Sequence, residues 1–339
     1  FGPVLLSANP WKAMLQLERV IFVFPGQGSQ YRGMGSDLVE EFECARECFG
    51  LASEVVGYDM SELCFNDPEE LLNLTRFTQP ALLTHEVTCL EVFRSMDTDG
   101  RVRPALAAGH SLGEYAALVA AGALSFEDAL RLVTRRAELM SEFGEGSMLA
   151  TTLDLSAAKA LADKHFCGIG GCNLSQQTVI AGQDSDLDRL TEDLTANYPR
   201  KRAVRLKTEG AFHTYLMVEA ARRFREVLED VSFSPLGLDV LSNYTGEMHA
   251  SDANAIRSRL FFQLFNPVRW VACMDAAMDR DVDTIIEFGG GIGKGDGPAD
   301  KRPNLEGMIK KALKGRHHDA EYFGAISAAG IRSLAEQIL

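Results

Sequence analysis

A chain of 339 residues is long enough for one large domain or two modest ones. With 46% hydrophobic and 24% charged residues it has the composition of an ordinary globular protein, and no apolar run reaches the ~18 residues of a membrane span. A net charge of −14 argues against nucleic acid and anionic membranes as partners, and seven cysteines without a C-x-x-C pair argue against a zinc site or a disulfide framework. Reduced thiols in a cytoplasmic protein are the plain expectation.

Phe1–Gln16 lacks a basic stretch followed by an apolar core, so no signal peptide is expected, and residues 1–17 read as a tail or linker. Glu18-Arg19-Val20-Ile21-Phe22-Val23-Phe24 reads as a buried strand ended by Pro25-Gly26-Gln27-Gly28-Ser29-Gln30. A strand running into a Gly-rich turn is the usual edge of an α/β site, and the missing G-K-[ST] excludes a phosphate loop. Gln27, between two glycines, can come close to a ligand. Residues 36–64 carry acid-rich helical periodicity. Thr78-Gln79-Pro80 is expected to open a helix over Ala81–Phe93, with Pro80 in its first turn and His85 packed rather than ligating.

Pro104–Ala108 reads as a short buried strand and Glu114–Ala123 as a helix, with Gly109-His110-Ser111-Leu112-Gly113 between them. G-x-S-x-G between strand and helix is the nucleophile-elbow signature: the glycines permit a sharp turn and Ser111 is pushed out at its tip. The helix N-terminus behind it offers free N–H groups to an oxyanion. Ser125 and Asp128 form a capping box ahead of a helix over 127–142, whose Leu130, Val133, Ala137 and Met140 share one face. Arg135 and Arg136 diverge by ~100° on it, so at most one faces a pocket.

The pattern then changes. Strands over 147–153, 168–174, 177–181 and 202–207, with helices over 156–164 and 185–198, spell a ferredoxin-like βαββαβ unit. We therefore expect an α/β protein: a small subdomain, 145–207, inserted into a large α/β-hydrolase-like subdomain built from 18–144 and 208–316, with 317–339 as a C-terminal segment. Gly210-Ala211-Phe212-His213 follows the insertion directly, ahead of a helix over Thr214–Leu228, so His213 falls at the cleft between the subdomains. Leu238–Ser242 and Thr284–Phe288 are further strand candidates for the large sheet, and Pro267 breaks a helix. Gly289–Gly297 is a Gly-dense loop, read as a site rim or a disordered insertion.

Taken together, F-P-G-Q-G-S-Q, T-Q-P-A-L, G-H-S-L-G-E-Y, G-A-F-H, Q-x-x-N-P-V-R-W and E-F-G-G-G, in colinear order over about residues 20 to 315, resemble the malonyl-CoA:acyl-carrier-protein transacylases and the related acyltransferase domains of polyketide and fatty acid synthases. The resemblance implies Ser111 as nucleophile and His213 as general base, oriented by the Gln263 backbone carbonyl. It implies Gln27 and Leu112 as backbone oxyanion donors, Arg136 as the partner of the substrate carboxylate, and Ala211 and Phe212 at the acyl pocket. The implied chemistry is ping-pong transfer through an acyl-Ser111 ester. The donor is a coenzyme A thioester and the acceptor the phosphopantetheine thiol of an acyl carrier protein, with no metal or redox cofactor.

Two departures stand out: Ala137 replaces the usual glycine after the arginine, and a Gly/Lys/Asp-rich insertion follows Gly291, able to reshape the acyl pocket or the donor entrance. Phe212 is bulky enough to crowd an α-methyl, which suits a malonyl unit. Carrier-to-carrier transfer of another acyl group, a serine hydrolase or editing thioesterase, and a non-catalytic scaffold remain alternatives. For carrier docking the sequence offers two basic clusters. Arg200, Lys201, Arg202, Arg205 and Lys207 leave the small subdomain, and Lys310, Lys311, Lys314 and Arg316 lie near the C-terminus. The first is favoured because it runs into the His213 turn.

Overall fold

The computed structural model describes residues 16–295 and 297–339. The tail expected over 1–17 therefore lies, but for its last two residues, outside the described residues, as does the stretch read as lacking a signal peptide except for Gln16. In chain order the elements are β1 (Leu17–Phe24), α1 (Ser36–Glu41), α2 (Glu43–Val56), α3 (Met60–Phe65), α4 (Thr75–Met96), β2 (Val102–Gly109), α5 (Gly113–Ala120) and α6 (Phe126–Glu142). The small subdomain follows with β3 (Ser147–Thr151), α7 (Leu155–Lys164), β4 (Gly168–Leu174), β5 (Gln177–Gly182), α8 (Asp184–Asn197) and β6 (Ala203–Arg205). The chain then returns through α9 (Val218–Glu229), β7 (Asp239–Leu241), α10 (Ala253–Gln263), α11 (Trp270–Met278), β8 (Thr284–Phe288), α12 (Glu306–Arg316), β9 (Glu321–Ala325) and α13 (Ala328–Ile338).

The large subdomain carries a parallel five-stranded sheet in the order β7-β2-β1-β8-β9. Its centre, β1, is apolar on both faces because helices cover both sides of a parallel sheet. Side chains alternate across a strand: Val20, Phe22 and Phe24 enter one core, Ile21 and Val23 the other. Phe22 meets Phe288 of β8 edge-on at 4.9 Å, which locks the two strands together where their C-terminal ends carry the site.

The small subdomain has an antiparallel sheet in the order β4-β5-β3-β6, the ferredoxin-like arrangement. Leu149 and Ile180 pack beneath α7 and α8, while the alternate residues Met148, Val179 and Ala181 pack with Met140, Ala211 and Phe212 on the other face. That second face is the one turned toward the large subdomain. Backbone bonds from Cys172 N to Val268 O (2.8 Å) and Val268 N to Gly170 O (3.1 Å) tie β4 to the large subdomain.

Three expectations are corrected. Residues 317–339 are part of the large subdomain: β9 extends its sheet beside β8, and α13 buries Ile331 and Leu334 in the core shared with α4. Helix α4 begins at Thr75, so Pro80 lies inside it rather than in its first turn. The physical reason is a remote cap: Leu74 supplies no side-chain acceptor, and the Thr75 N–H is instead bonded by the Glu209 carboxylate. The described residues of the Gly-dense loop are ordered and lie off the cleft: Ile292 and Arg302 form an antiparallel bridge, and Gly291 N–H bonds Ser29 O at 2.8 Å. The loop buttresses the 25–31 turn.

Candidate active site

Strand β2 and helix α5 are joined by three residues, and the geometry explains the glycines at both ends. A Cβ on Gly109 would lie 1.8 Å from the Gly113 carbonyl carbon, and one on Gly113 would lie 2.3 Å from Phe24 O. Ser111 sits at φ 54, a left-handed conformation that costs a non-glycine residue about 1–2 kcal/mol. Two side chains hold it there. Asn243 Oδ1 accepts the Ser111 N–H at 2.6 Å, and Gln263 Nε2 donates to Ser111 O at 2.9 Å.

Ser111 Oγ lies 2.8 Å from His213 Nε2, and His213 Nδ1 lies 2.8 Å from the Gln263 backbone oxygen. A carbonyl only accepts, so Nδ1 carries the proton and Nε2 presents its lone pair to the serine hydroxyl. Burial, and then the positive charge of Arg136, push His213 down to about 3, against the opposing bond to Gln263. The imidazole is therefore neutral and ready to accept a proton.

Arg135 and Arg136 divide as helix geometry requires. Arg135 is half-exposed and pairs with Glu138, whereas Arg136 is fully buried. Arg136 donates to Gln79 Oε1 at 2.6 Å, to Gln263 Oε1 at 3.0 Å and to Ser111 Oγ at 3.1 Å. Among the described residues no carboxylate forms an ion pair with it. Burial lowers its pKa, with Tyr115 and Glu114 acting the other way. A buried guanidinium held by neutral amide oxygens next to a serine is a site prepared for an anion.

These groups line a cleft of about 910 Å³ between the subdomains. Gln27, Ser111, Leu112, Arg136, Phe212 and His213 all face it. Gln263 stands behind Arg136, and Ala211 is buried in the apolar cluster under Phe212 rather than lining the cleft. The N–H groups around the elbow are mostly taken: His110 N bonds Phe24 O and Gly113 N bonds His110 O. Leu112, at the helix start, has no intrahelical acceptor for its own N–H. Gln27 is steadied through Nε2, 3.1 Å from Thr75 Oγ1 at the start of α4.

The expected docking residues separate. Arg205 lies on the edge strand β6 and is occupied by Ser147 at 2.7 Å, Asp184 and Asp188, so its charge is locally offset. Neither Arg205 nor Arg202, which is exposed just before β6, lines the cleft. Lys310 pairs with Glu306, and Arg316 with Asp275 and Asp279. Lys207 and Lys311 do line the cleft, one from each subdomain, and neither has an ion-pair partner among the described residues. None of the described residues 289–303 lines it.

Sequence reasoning passed over Gln79, Asn243 and Glu114. Gln79 lay in the T-Q-P-A-L motif and Glu114 in G-H-S-L-G-E-Y. For Asn243 the available signal was its position just past a strand of the parallel sheet, where α/β sites gather.

The comparisons with known proteins point to one family. The profile of the acyl transferase domain matches residues 21–289. The malonyl CoA-acyl carrier protein transacylase of Bacillus subtilis is 38% identical over 304 residues, covering 87% of this chain and 90% of that protein. The structure of the malonyl CoA-acyl carrier protein transacylase from Coxiella burnetii superposes with a TM-score of 0.85 at 30% identity, covering 96% of this chain and 99% of that one. A malonyl-transacylase solved in complex with its type II PKS acyl-carrier protein (PlMCAT:AntF) gives a TM-score of 0.82 at 33% identity, over 94% and 99% of the two chains. With the elbow, the serine–histidine pair and the buried arginine in place, the chain belongs to the acyl transferase domain family.

Proposed function

We propose that this acyltransferase moves a malonyl-type group from coenzyme A, through an ester on Ser111, to the phosphopantetheine thiol of an acyl carrier protein in polyketide or fatty acid biosynthesis. The observation that carries the reading is Arg136: fully buried, without a carboxylate partner among the described residues, and 3.1 Å from Ser111 Oγ. An acyl group with its own free carboxylate would supply the missing charge and seat its thioester against the serine.

The steps follow from the geometry. Ser111 Oγ passes its proton to His213 Nε2 and attacks the thioester carbonyl. The N–H groups of Gln27 and Leu112 take the oxyanion, a kind of stabilisation worth about 3–4 kcal/mol per donor. His213 then returns the proton to the departing coenzyme A sulfur. The carrier thiol enters, gives its proton to His213 and attacks the ester; as the Oγ–acyl bond breaks, His213 passes that proton to Ser111 Oγ, 2.8 Å away, restoring the free serine. A substrate carboxylate on Arg136 also offsets the positive charge that holds His213 down, so binding strengthens the base as the reaction needs it.

Phe212 limits bulk at the acyl α-carbon, and Lys207 and Lys311 at the cleft mouth suit an acidic carrier. The seven cysteines, all free thiols, fit a cytoplasmic setting. The test is incubation with malonyl-CoA in the presence and absence of a phosphopantetheinylated carrier. Malonyl-carrier should accumulate with it and little free malonate without it. Rapid release of malonate in both would assign a hydrolase instead.

A further inference from the structure

Behind the reacting groups lies a buried polar cluster that the steps above do not use. Glu114, in the first turn of α5, is fully buried, and both its oxygens are bonded. His249 Nε2 donates to Oε1 at 2.7 Å, while Asn243 N–H and Gln263 Nε2 donate to Oε2 at 3.0 and 2.9 Å. A carboxylate only accepts, so Gln263 must turn its amide nitrogen toward Glu114. The rest of that side chain follows: the nitrogen also reaches Ser111 O, and the oxygen is left facing the Arg136 guanidinium. Asn243, held by the same carboxylate, accepts the Ser111 N–H and donates to Gly109 O at 2.7 Å.

We infer that Glu114 is a positioning residue for both halves of the site. It sets the amide polarity of Gln263, and so aims the guanidinium that reads the substrate carboxylate. Through Asn243 and Gln263 it also braces both backbone groups of the left-handed Ser111. The inference rests on the reading of Ser111 as nucleophile and Arg136 as carboxylate partner. Without an acceptor at position 114, the Gln263 amide loses its reason to face that way, and its nitrogen can swing toward Arg136, donor against donor. Glu114→Gln differs: if His249 moves its proton to Nδ1, an atom with no partner, the new amide can donate to Nε2 and still offer its oxygen to Gln263.

The test compares kcat/KM for malonyl-CoA and acetyl-CoA in Glu114→Leu and Glu114→Gln, each in the native and the Arg136→Ala background. Glu114→Leu should lower the malonyl-to-acetyl ratio about tenfold in the native background and by less than about twofold when Arg136 is gone, because the effect passes through that residue. Glu114→Gln should keep most of the ratio. An equal loss for both substrates, or an undiminished ratio change in the Arg136→Ala background, overturns the inference. If Arg136→Ala alone leaves the ratio unchanged, the carboxylate reading falls, and this inference with it. A ratio that responds to Arg136→Ala but not to Glu114→Leu overturns only the role of Glu114. Should the leucine variant not fold, Glu114→Asp, its carboxylate drawn back by one methylene, carries the same comparison with an expected change of about threefold.

Discussion

Replacing Arg136 with alanine should separate malonyl from acetyl substrates, and the structure gives the size of the effect. The guanidinium donates to two glutamine oxygens and to Ser111 Oγ. A substrate carboxylate bound in the bidentate manner would take over two such bonds, each worth about 1.5–3 kcal/mol when charged. Water entering the emptied space returns part of this, leaving about 2–4 kcal/mol. At about 1.36 kcal/mol per decade, kcat/KM for malonyl-CoA should fall by about 30- to 900-fold. Acetyl-CoA has no carboxylate to lose. It forfeits only the bond to Ser111 Oγ, while His213 is freed from a neighbouring positive charge. Its kcat/KM should stay within about threefold of the native value. The assay is initial-rate release of coenzyme A from each thioester with the carrier saturating. A comparable loss for both substrates would refute the assignment and make Arg136 a structural residue.

Other outcomes follow from the same geometry. Charge reversal at Lys207 and Lys311 should raise the KM for the carrier and flatten its salt dependence, with Ser111 acylation by malonyl-CoA nearly unchanged, whereas reversal at Arg205 should do little; the opposite pattern in carrier-titration kinetics would place docking on β6. Because His213 is pushed down to about 3, kcat/KM for acylation should be level from pH 5 to 8, and an inflection near 6.5 would contradict a neutral, buried base. Burial raises the Glu287 carboxyl to about 7, so the folded chain binds more protons than the unfolded one between about 4.5 and 7. Stability should therefore fall by up to about 3 kcal/mol as pH rises through that window, and denaturant midpoints should lose this slope in Glu287→Gln.

The parts of this molecule that were legible in the sequence are those written in local pattern. The elbow needed only a strand, G-x-S-x-G and a helix. The ferredoxin-like unit needed only alternation switching with helical period, and the divergence of Arg135 from Arg136 follows from 3.6 residues per turn. What could not be read depends on partners far along the chain. Strand β9 begins with Glu321 and contains Gly324, and it is a strand because β8 lies beside it. The start of α4 is set by Glu209, more than a hundred residues away. The pairing of Arg205 with the acids of α8 is likewise made only in the fold. The Glu114–Asn243–Gln263 cluster joins three distant segments, none of which carries a local signature of the others.

The central claim is that Ser111 carries the acyl group between two thiols. Mass spectrometry of the chain after brief mixing with malonyl-CoA and digestion tests it most directly. The account predicts one malonyl ester on the peptide bearing Ser111, discharged when a phosphopantetheinylated carrier is added and absent in Ser111→Ala. An adduct at another residue, or undiminished transfer to the carrier by the Ser111→Ala chain, would contradict it.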